Sequence, residues 1–258
     1  MRARITSLHD GVHYTESRNS CHPSRKRRNS HEHDSHEPRD RLRHRGRPRY
    51  YSHADESKKA AGLDVPKVPM IFGRWAQSLT VKDAVVPVAP KEPGLDWELE
   101  LAAVVKDEIW EATAGDALEY VLGYTAFNDL SARDKQLEAP QFTLGKNPDK
   151  SGPVGPVLVT ADELPPGAAG LRLQSRVNGQ TMQDANTDQL IHSVARIMEY
   201  ITDTVTLLPG DVIATGTPGG VGIGRDPQVF LNTDDTVEVE VEGLGILRNT
   251  FATHQRIQ

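Results

Sequence analysis

The sequence predicts a β-rich α+β fold with few helices, preceded by a disordered basic tail. From residue 94 onward, short segments rich in apolar and β-branched residues alternate with Gly and Pro, a pattern typical of strands and turns. Only one long segment has apolar residues at helical spacing. No regular strand–helix–strand alternation is found, which argues against a doubly wound dinucleotide-binding fold. With 258 residues, of which 37% are hydrophobic, the chain can bury one large core.

Residues 1–48 have the composition of a disordered tail. They carry 11 Arg and 1 Lys against 6 acidic residues, a net charge of +6, whereas the remaining 18 basic and 30 acidic residues give −12. The segment has no apolar periodicity and cannot offset its ordering entropy. Acidic residues interrupt the basic run and no aromatic residues are interleaved with it, so a solvated tail is favoured over a nucleic-acid-binding arm.

Cysteine content and hydropathy predict a soluble protein of a reducing compartment. Cys21 is the only cysteine, so no intramolecular disulfide can form. No run of about 18 apolar residues is present, so we expect no membrane partner. The expected location is the cytoplasm, with mitochondria as the alternative because the tail is rich in arginine.

The elements beyond the tail follow from local patterns. A short helix is predicted in "YSHADESKKAAGL", where Ser52 would be the N-cap and Gly62 the end, and the prolines of "VPKVPMIFGR" predict extended chain after it. In "NTDQLIHSVARIMEYITDTV" apolar residues recur at helical spacing, which predicts a long helix starting at Asn-Thr-Asp. Strands are predicted in "WELELAAVV", "YVLGYTAF", "GPVLVT", "LRLQSRVNG", "GDVIATG" and "DTVEVEVEGLGIL".

The strand "WELELAAVV" carries two acids on a face that becomes apolar. Glu98 and Glu100 share that face with Ala102 and Val104, so we expect it to point inward. The acids of "TVEVEVEG", residues 236–243, end in a glycine turn and are expected at the surface. Two buried carboxylates repel each other unless a cation compensates them, and Mg²⁺, Mn²⁺ and Ca²⁺ prefer oxygen ligands. A Glu-x-Glu pair on its own remains compatible with a surface strand.

The segment "YVLGYTAFNDLSARDKQ" is a strand that runs into a polar turn. One interpretation makes Asp129 the N-cap of a helix that starts near Ser131, with Arg133 as a surface charge. In the other interpretation these residues belong to a functional site. The glycine-rich "TGTPGGVGIG" has no Lys-Ser/Thr ending and is expected to precede a strand, so it does not predict a phosphate-binding loop.

Four motifs in order make the chain resemble the fumarylacetoacetate hydrolase family, in particular its smaller acylpyruvase and oxaloacetate decarboxylase-tautomerase members. They are "WELELAAVV", "NDLSARDKQ", "GKNPDKSGPVGP" and "PGDVIATGTPGGVG". The resemblance implies a mixed β-sandwich roll and a catalytic domain at residues 49–258.

The resemblance also assigns roles to individual residues. It implies a divalent metal, Mg²⁺ with Mn²⁺ or Ca²⁺ as alternatives, on Glu98, Glu100 and Asp129. The positions that match the substrate site of the family are Arg133, Gln136, Lys146 and Thr217. Cations at such positions suit a small anionic 2-oxo acid as partner.

The resemblance places the catalytic base on the predicted early helix. His53 and Glu56 are three residues apart, so the carboxylate can orient the imidazole. The alternative is a solvent-facing helix whose His and acids have no catalytic role. Where family members have an apolar strand before this helix, the chain has "HRGRPRYYSH". We therefore expect either a truncated variant, or residues 1 to about 48 that derive from a mis-predicted exon boundary.

The function that the resemblance implies is a metal-dependent hydrolase or lyase of 2-oxo and 1,3-diketo acids, which cleaves a C–C bond through a metal-stabilised enolate. A keto–enol tautomerase or isomerase of oxaloacetate or hydroxymuconate-type acids is the first alternative. An inactive relative with an interaction tail is the second. The family commonly forms homodimers, which we expect for this chain.

Overall fold

The computed structural model describes residues 67–89 and 91–253. The predicted tail at residues 1–48 and the predicted helix with His53 and Glu56 lie outside the described residues, so these elements and the division at residue 49 remain predictions. No helix of the described part combines the length and the apolar character that crossing a membrane requires.

Strands make up most of the regular structure of residues 67–253. They are β1 (Leu79–Val81), β2 (Val85–Val88), β3 (Leu95–Asp96), β4 (Leu99–Val105), β5 (Val121–Asn128), β6 (Ser131–Ala132), β7 (Gly152–Thr160), β8 (Arg172–Val177), β9 (Gln180–Asn186), β10 (Val212–Ala214), β11 (Thr236–Val241) and β12 (Gly245–Thr253). The α-helices of this part are α1 (Arg133–Glu138) and α2 (Val194–Thr202). Each predicted strand segment from "WELELAAVV" onward contains a strand, which confirms a β-rich fold with few helices.

The strands form two five-stranded mixed sheets and a two-stranded ribbon. The first sheet has the order β1-β7-β5-β4-β10, the second has the order β2-β12-β11-β8-β9, and β3 pairs with β6. The pairs β1–β7 and β2–β12 are parallel, and the other pairs are antiparallel. The second sheet contributes to the same buried apolar cluster as the first, as expected for a sandwich.

The alternation of β11 separates the core from the solvent. Its three valines are buried in the cluster between the sheets. Glu238 and Glu240 point to the other side, where both pair with Arg176 at 3.0 and 2.7 Å. Glu242 is exposed. The acids of this strand therefore lie on the outer face, as the sequence predicts.

Strand β4 differs from β11 because both of its faces are buried. Leu99 and Leu101 belong to the core between the sheets. The opposite face, which points away from the second sheet, carries Ala102 in a smaller cluster with Phe127 and Val154. Glu98 and Glu100 share this second face, so the fold buries the acids without placing them in the main core.

The long helix is shorter than the sequence predicts. Helix α2 starts at Val194, and the Ser193 hydroxyl accepts a backbone N–H of the first turn. Asn186 instead caps a single 3-10 turn in a reciprocal capping box with Gln189. The expected start at Asn-Thr-Asp is therefore wrong, because a second capping residue seven positions later begins the helix.

We expect substitution of a buried leucine in β4 to destabilise the protein far more than the same substitution in the neighbouring strand. Leu101 is 1% exposed, whereas Leu122 of β5 is 39% exposed. Leu101→Ala should lower the free energy of unfolding by about 2–5 kcal/mol. Leu122→Ala should cost less than about 1 kcal/mol. Denaturant unfolding measures both, and equal losses would contradict this sandwich core.

Candidate metal centre and substrate site

Pairing of β4 with β5 brings three carboxylates together at the ends of the two strands. Leu99 lies opposite Asn128, and the backbone N–H of Asp129 donates to the carbonyl of Glu98 at 2.8 Å. One oxygen from each of Glu98, Glu100 and Asp129 lies within 4.8 Å of the others, and all three residues are buried. The expectation that the acidic face of β4 points inward is confirmed.

Glu98 and Asp129 form ion pairs with Lys146 and Arg133, two residues that the sequence predicts in the site. Lys146 Nζ lies 2.7 Å from Glu98 Oε2 and 2.6 Å from Asp129 Oδ2. Arg133 Nη1 lies 2.6 Å from Glu98 Oε1. Burial favours the neutral form of Glu98, but the charges of Lys146 and Arg133 outweigh it and lower its pKa. Burial likewise disfavours the charged form of Lys146, yet Asp129 and Glu98 raise its pKa.

A third cation, Arg74, was missed by sequence reasoning. It belongs to the irregular segment before β1, where its Nη1 pairs with Asp129 Oδ1 and its Nη2 donates to Ser151 Oγ at 2.6 Å. Its guanidinium lies 5.6 Å from the ring centroid of Phe127. Arg74 is 55 positions from Asp129, so no local pattern of the sequence indicates this contact.

Glu100 differs from the other two carboxylates. Its Oε2 accepts the backbone N–H of Gly216 at 2.7 Å, and no Lys or Arg within residues 67–253 forms an ion pair with it. Burial raises the pKa of Glu100 well above its usual value, and the charges of Asp129 and Glu98 add to this effect. Glu100 is therefore the one carboxylate of the three that forms no ion pair within the described residues, and the charge of Lys146 offsets only part of its pKa shift.

The acids of the site outnumber the cations that face them. Four buried carboxylates, Asp96, Glu98, Glu100 and Asp129, face the buried Arg133 and Lys146 and the half-buried Arg74. Two oxygens bound to one hard cation lie no more than about 5 Å apart, which matches the spacing of the three clustered carboxylates. An all-oxygen donor set with surplus negative charge fits Mg²⁺, Mn²⁺ or Ca²⁺.

Helix α1 presents Arg133 and Gln136 to the site. Arg133 Nη1 donates to Gln136 Oε1 at 2.8 Å, and both side chains are buried. The N-terminal turn is held by Glu92, whose carboxylate accepts the backbone N–H groups of Asp134 and Lys135, each at 3.2 Å. The alternative interpretation of Asp129 as the N-cap of this helix is thus wrong, since Asp129 pairs with cations instead.

The glycine-rich loop after β10 brings Thr217 to the start of β4. Gln183 of β9 donates through Nε2 to Thr217 Oγ1 at 2.8 Å and to the Pro218 carbonyl at 2.9 Å, and its Oε1 accepts the N–H of Leu99 at 3.1 Å. Sequence reasoning missed Gln183. The loop ends in a 3-10 turn at Gly222–Gly224, and the next element is strand β11, which confirms that a strand and not a helix follows the loop.

The structure brings seven of the nine predicted site residues into one connected cluster. They are Glu98, Glu100, Asp129, Arg133, Gln136, Lys146 and Thr217. His53 and Glu56 lie outside the described residues. The individual roles of all nine residues remain predictions.

The chain is similar to known proteins in both sequence and structure. The family model described as "Fumarylacetoacetate (FAA) hydrolase C-terminal" matches residues 48–252. The Homo sapiens protein named "Oxaloacetate tautomerase FAHD2A, mitochondrial" is 40% identical over 193 residues, which cover 74% of the chain and 61% of that protein.

Solved structures agree with the sequence comparisons. The 5-carboxymethyl-2-hydroxymuconate delta-isomerase from Mycobacterium smegmatis aligns with a TM-score of 0.68 and 36% identity, over 74% of this chain and 72% of that chain. The fumarylacetoacetate hydrolase from Exiguobacterium antarcticum aligns with a TM-score of 0.66 and 37% identity, over 71% and 66% of the two chains.

Opposite pKa shifts of two neighbouring acids predict opposite effects of the same substitution in metal-free protein. Because the pKa of Glu100 is raised in the folded protein, the free energy of unfolding decreases as the pH rises above 4.5, the usual pKa of a glutamate. Glu100→Gln should therefore be more stable than wild type at pH 8 in chelator, and the difference should shrink toward pH 5.

Glu98→Gln is the matched control for this measurement. Because the pKa of Glu98 is lowered in the folded protein, its ionised form stabilises the protein above pH 4.5, and this stabilisation is lost as the pH falls. At pH 8, Glu98→Gln should lower the free energy of unfolding by about 3–5 kcal/mol, because two buried cations lose their partner. Denaturant unfolding from pH 5 to 8 measures both variants, and shifts of the same sign would contradict the charge distribution.

Proposed function

Because the chain belongs to the fumarylacetoacetate hydrolase family, we propose that it is a metal-dependent enzyme that acts on 2-oxo and 1,3-diketo acids through an enolate. One observation carries this proposal. The carboxylate oxygens of Glu98, Glu100 and Asp129 cluster within 4.8 Å of one another, Glu100 forms no ion pair within the described residues, and the cluster lies beside two buried cations, Arg133 and Lys146, that suit an anionic substrate.

The metal ligands in this proposal are Glu98, Glu100 and Asp129, with Mg²⁺ as the ion and Mn²⁺ or Ca²⁺ as alternatives. A bound divalent ion would supply Lewis-acid stabilisation of the negative charge that develops on a carbonyl oxygen. Glu100 supports this assignment most directly, because its pKa is raised by burial and by its acidic neighbours, and its carboxylate forms no ion pair in the described part and accepts a hydrogen bond from the backbone N–H of Gly216.

The substrate-binding residues in this proposal are Arg133, Gln136, Lys146 and Thr217. Arg133 offers planar, delocalised charge to a carboxylate, and the Gln136 amide extends the same polar surface. The raised pKa of Lys146 keeps its amine protonated, so Lys146 acts as a hydrogen-bond donor and not as a base. The proton acceptor remains the predicted pair His53 and Glu56.

Two reactions share this site chemistry. Hydrolytic or decarboxylative C–C cleavage is the function that the sequence motifs predict first. Tautomerase or isomerase activity is the second candidate, and the names of the relatives favour it, because the human protein is named an oxaloacetate tautomerase and the Mycobacterium smegmatis structure an isomerase. Both reactions pass through an enolate, which the same cationic groups would stabilise.

We expect Glu98→Gln to lower kcat/KM by about 100-fold or more, because charge stabilisation by a bound metal contributes several kcal/mol to such reactions. Purified protein is assayed with Mg²⁺ on oxaloacetate, acetylpyruvate and fumarylpyruvate. Enol absorbance reports tautomerisation, and pyruvate release reports cleavage or decarboxylation.

The matched control is Glu238→Gln, which makes the same change at a half-buried acid of the outer face of the second sheet. This variant should keep the wild-type rate. Full activity of wild type in excess chelator would contradict metal dependence. Inactivity on all three substrates would favour the alternative of an inactive relative with an interaction tail.

The proposed function also has expected consequences for the oligomeric state, the partner molecule and the compartment. We propose a homodimer, a small anionic 2-oxo acid as the partner molecule, and the cytoplasm or the mitochondria as the compartment. The human relative is named as mitochondrial, which supports the second compartment.

A further inference from the structure

Asp96 is a fully buried carboxylate for which the proposed function has no role. It ends β3, two positions before Glu98, and its exposure is 0%. Its Oδ1 accepts the backbone N–H groups of Trp97 at 2.8 Å and Gly222 at 2.7 Å. Its Oδ2 accepts Nε of Arg133 and the backbone N–H of Ile223, both at 2.9 Å. Each oxygen therefore accepts two hydrogen bonds.

We propose that Asp96 is a positioning residue that fixes the guanidinium of Arg133 for substrate binding and ties the glycine-rich loop to the same point. This inference rests on the proposed function, because it assigns Asp96 a task in the same site. The hydrogen bonds of the Asp96 carboxylate go to Trp97, Arg133, Gly222 and Ile223, and none goes to Lys146.

Contacts along two edges of the guanidinium fix its orientation. Arg133 Nε donates to Asp96 Oδ2 at 2.9 Å. Nη2 lies 2.9 Å from the same oxygen as an ion-pair contact but forms no hydrogen bond within the described residues. Nη1 is held by Glu98 Oε1 at 2.6 Å and by Gln136 Oε1 at 2.8 Å. An arginine in solution samples many rotamers, so these contacts remove an entropy cost that substrate binding would otherwise carry.

The same carboxylate locates the turn that follows the substrate-binding loop. The N–H groups of Gly222 and Ile223 both point at Asp96. A side chain at position 222 has no space, because an added Cβ would lie 1.8 Å from the Val229 carbonyl oxygen and 2.8 Å from Asp96 Oδ1. Asp96 thus joins the arginine of α1 to the loop that carries Thr217.

A double-mutant cycle separates positioning through Arg133 from a general structural role. Asp96→Asn keeps the shape of the side chain but leaves one oxygen for four donors. We expect Asp96→Asn and Arg133→Gln each to lower kcat/KM by about 100-fold, the size typical of breaking a buried charged hydrogen bond. The double variant should lose about the same 100-fold, since both changes remove one function.

If the two losses in kcat/KM multiply, to about 10,000-fold in the double variant, the two substitutions act independently and the proposal is overturned. The matched control is Asp184→Asn. Asp184 also pairs with an arginine, Arg172, through contacts of 2.9 and 2.6 Å, but on the exposed face of the second sheet. This variant should keep the wild-type rate.

A measurement without turnover distinguishes failure of this inference from failure of the proposed function. The Nε–H resonance of Arg133, assigned by its absence in Arg133→Lys, should exchange slowly with water in wild type and in Asp184→Asn. In Asp96→Asn, exchange should be at least about tenfold faster, because the proton loses its buried acceptor. Fast exchange in wild type would overturn the inference, whereas lack of turnover by wild type with slow exchange would refute only the proposed function.

Arg133→Lys keeps the test decisive if Asp96→Asn does not fold. Lysine retains the charge but cannot bond Asp96 and Gln136 along two edges of a plane. We expect Arg133→Lys to lose about as much activity as Arg133→Gln, about 100-fold. Activity of Arg133→Lys within about threefold of wild type would mean that charge alone suffices, and the positioning role would be overturned.

Discussion

The antiparallel pairing of β4 with β5 is the constraint on which the site depends. Its register puts Glu98 beside Asp129 and turns both acids, with Glu100, to the face that points away from the second sheet. A shift of one residue in either strand would move these acids into the apolar core between the sheets. Burial of both faces of β4 makes such a shift costly, so core packing and site geometry are fixed by the same strand pair.

Burying four carboxylates is costly, and the fold offsets most of this cost with cations from distant parts of the chain. Arg74 comes from the segment before β1, Arg133 from α1 and Lys146 from the stretch before β7. Each pair brings a desolvation penalty that Coulombic attraction only partly repays. Because Glu100 forms no ion pair within the described residues, the three acids could hold a divalent ion, which a purely structural ion-pair network would not leave room for.

The predictable part of the site is the part with a local pattern. Alternation in "WELELAAVV" indicates that Glu98 and Glu100 face inward, and the turn motif supplies Asp129 and Arg133. Asp96 has the same parity as the two glutamates, so extending the alternation by one step would have found it. Arg74 contacts Asp129, 55 positions away along the chain, and Gln183 contacts Leu99, 84 positions away. A local sequence pattern cannot indicate contacts at such separations.

Helix prediction failed at its start for a similar reason. Asn186 and Ser193 are both good capping residues, and tertiary contacts decide between them. The hydroxyl of Thr187 bonds the Ala168 carbonyl at 2.7 Å and the Leu171 N–H at 2.9 Å, which holds the first turn against the 165–171 segment. The helix then begins at the next available cap.

We propose that the three clustered acids, Glu98, Glu100 and Asp129, form one site for a hard divalent ion. An anomalous difference map from crystals of the protein soaked in Mn²⁺ tests it most directly. We predict one strong peak about 2.0–2.6 Å from oxygens of Glu98, Glu100 and Asp129. Absence of a peak there at saturating Mn²⁺, or a peak only at other acids, would contradict the claim.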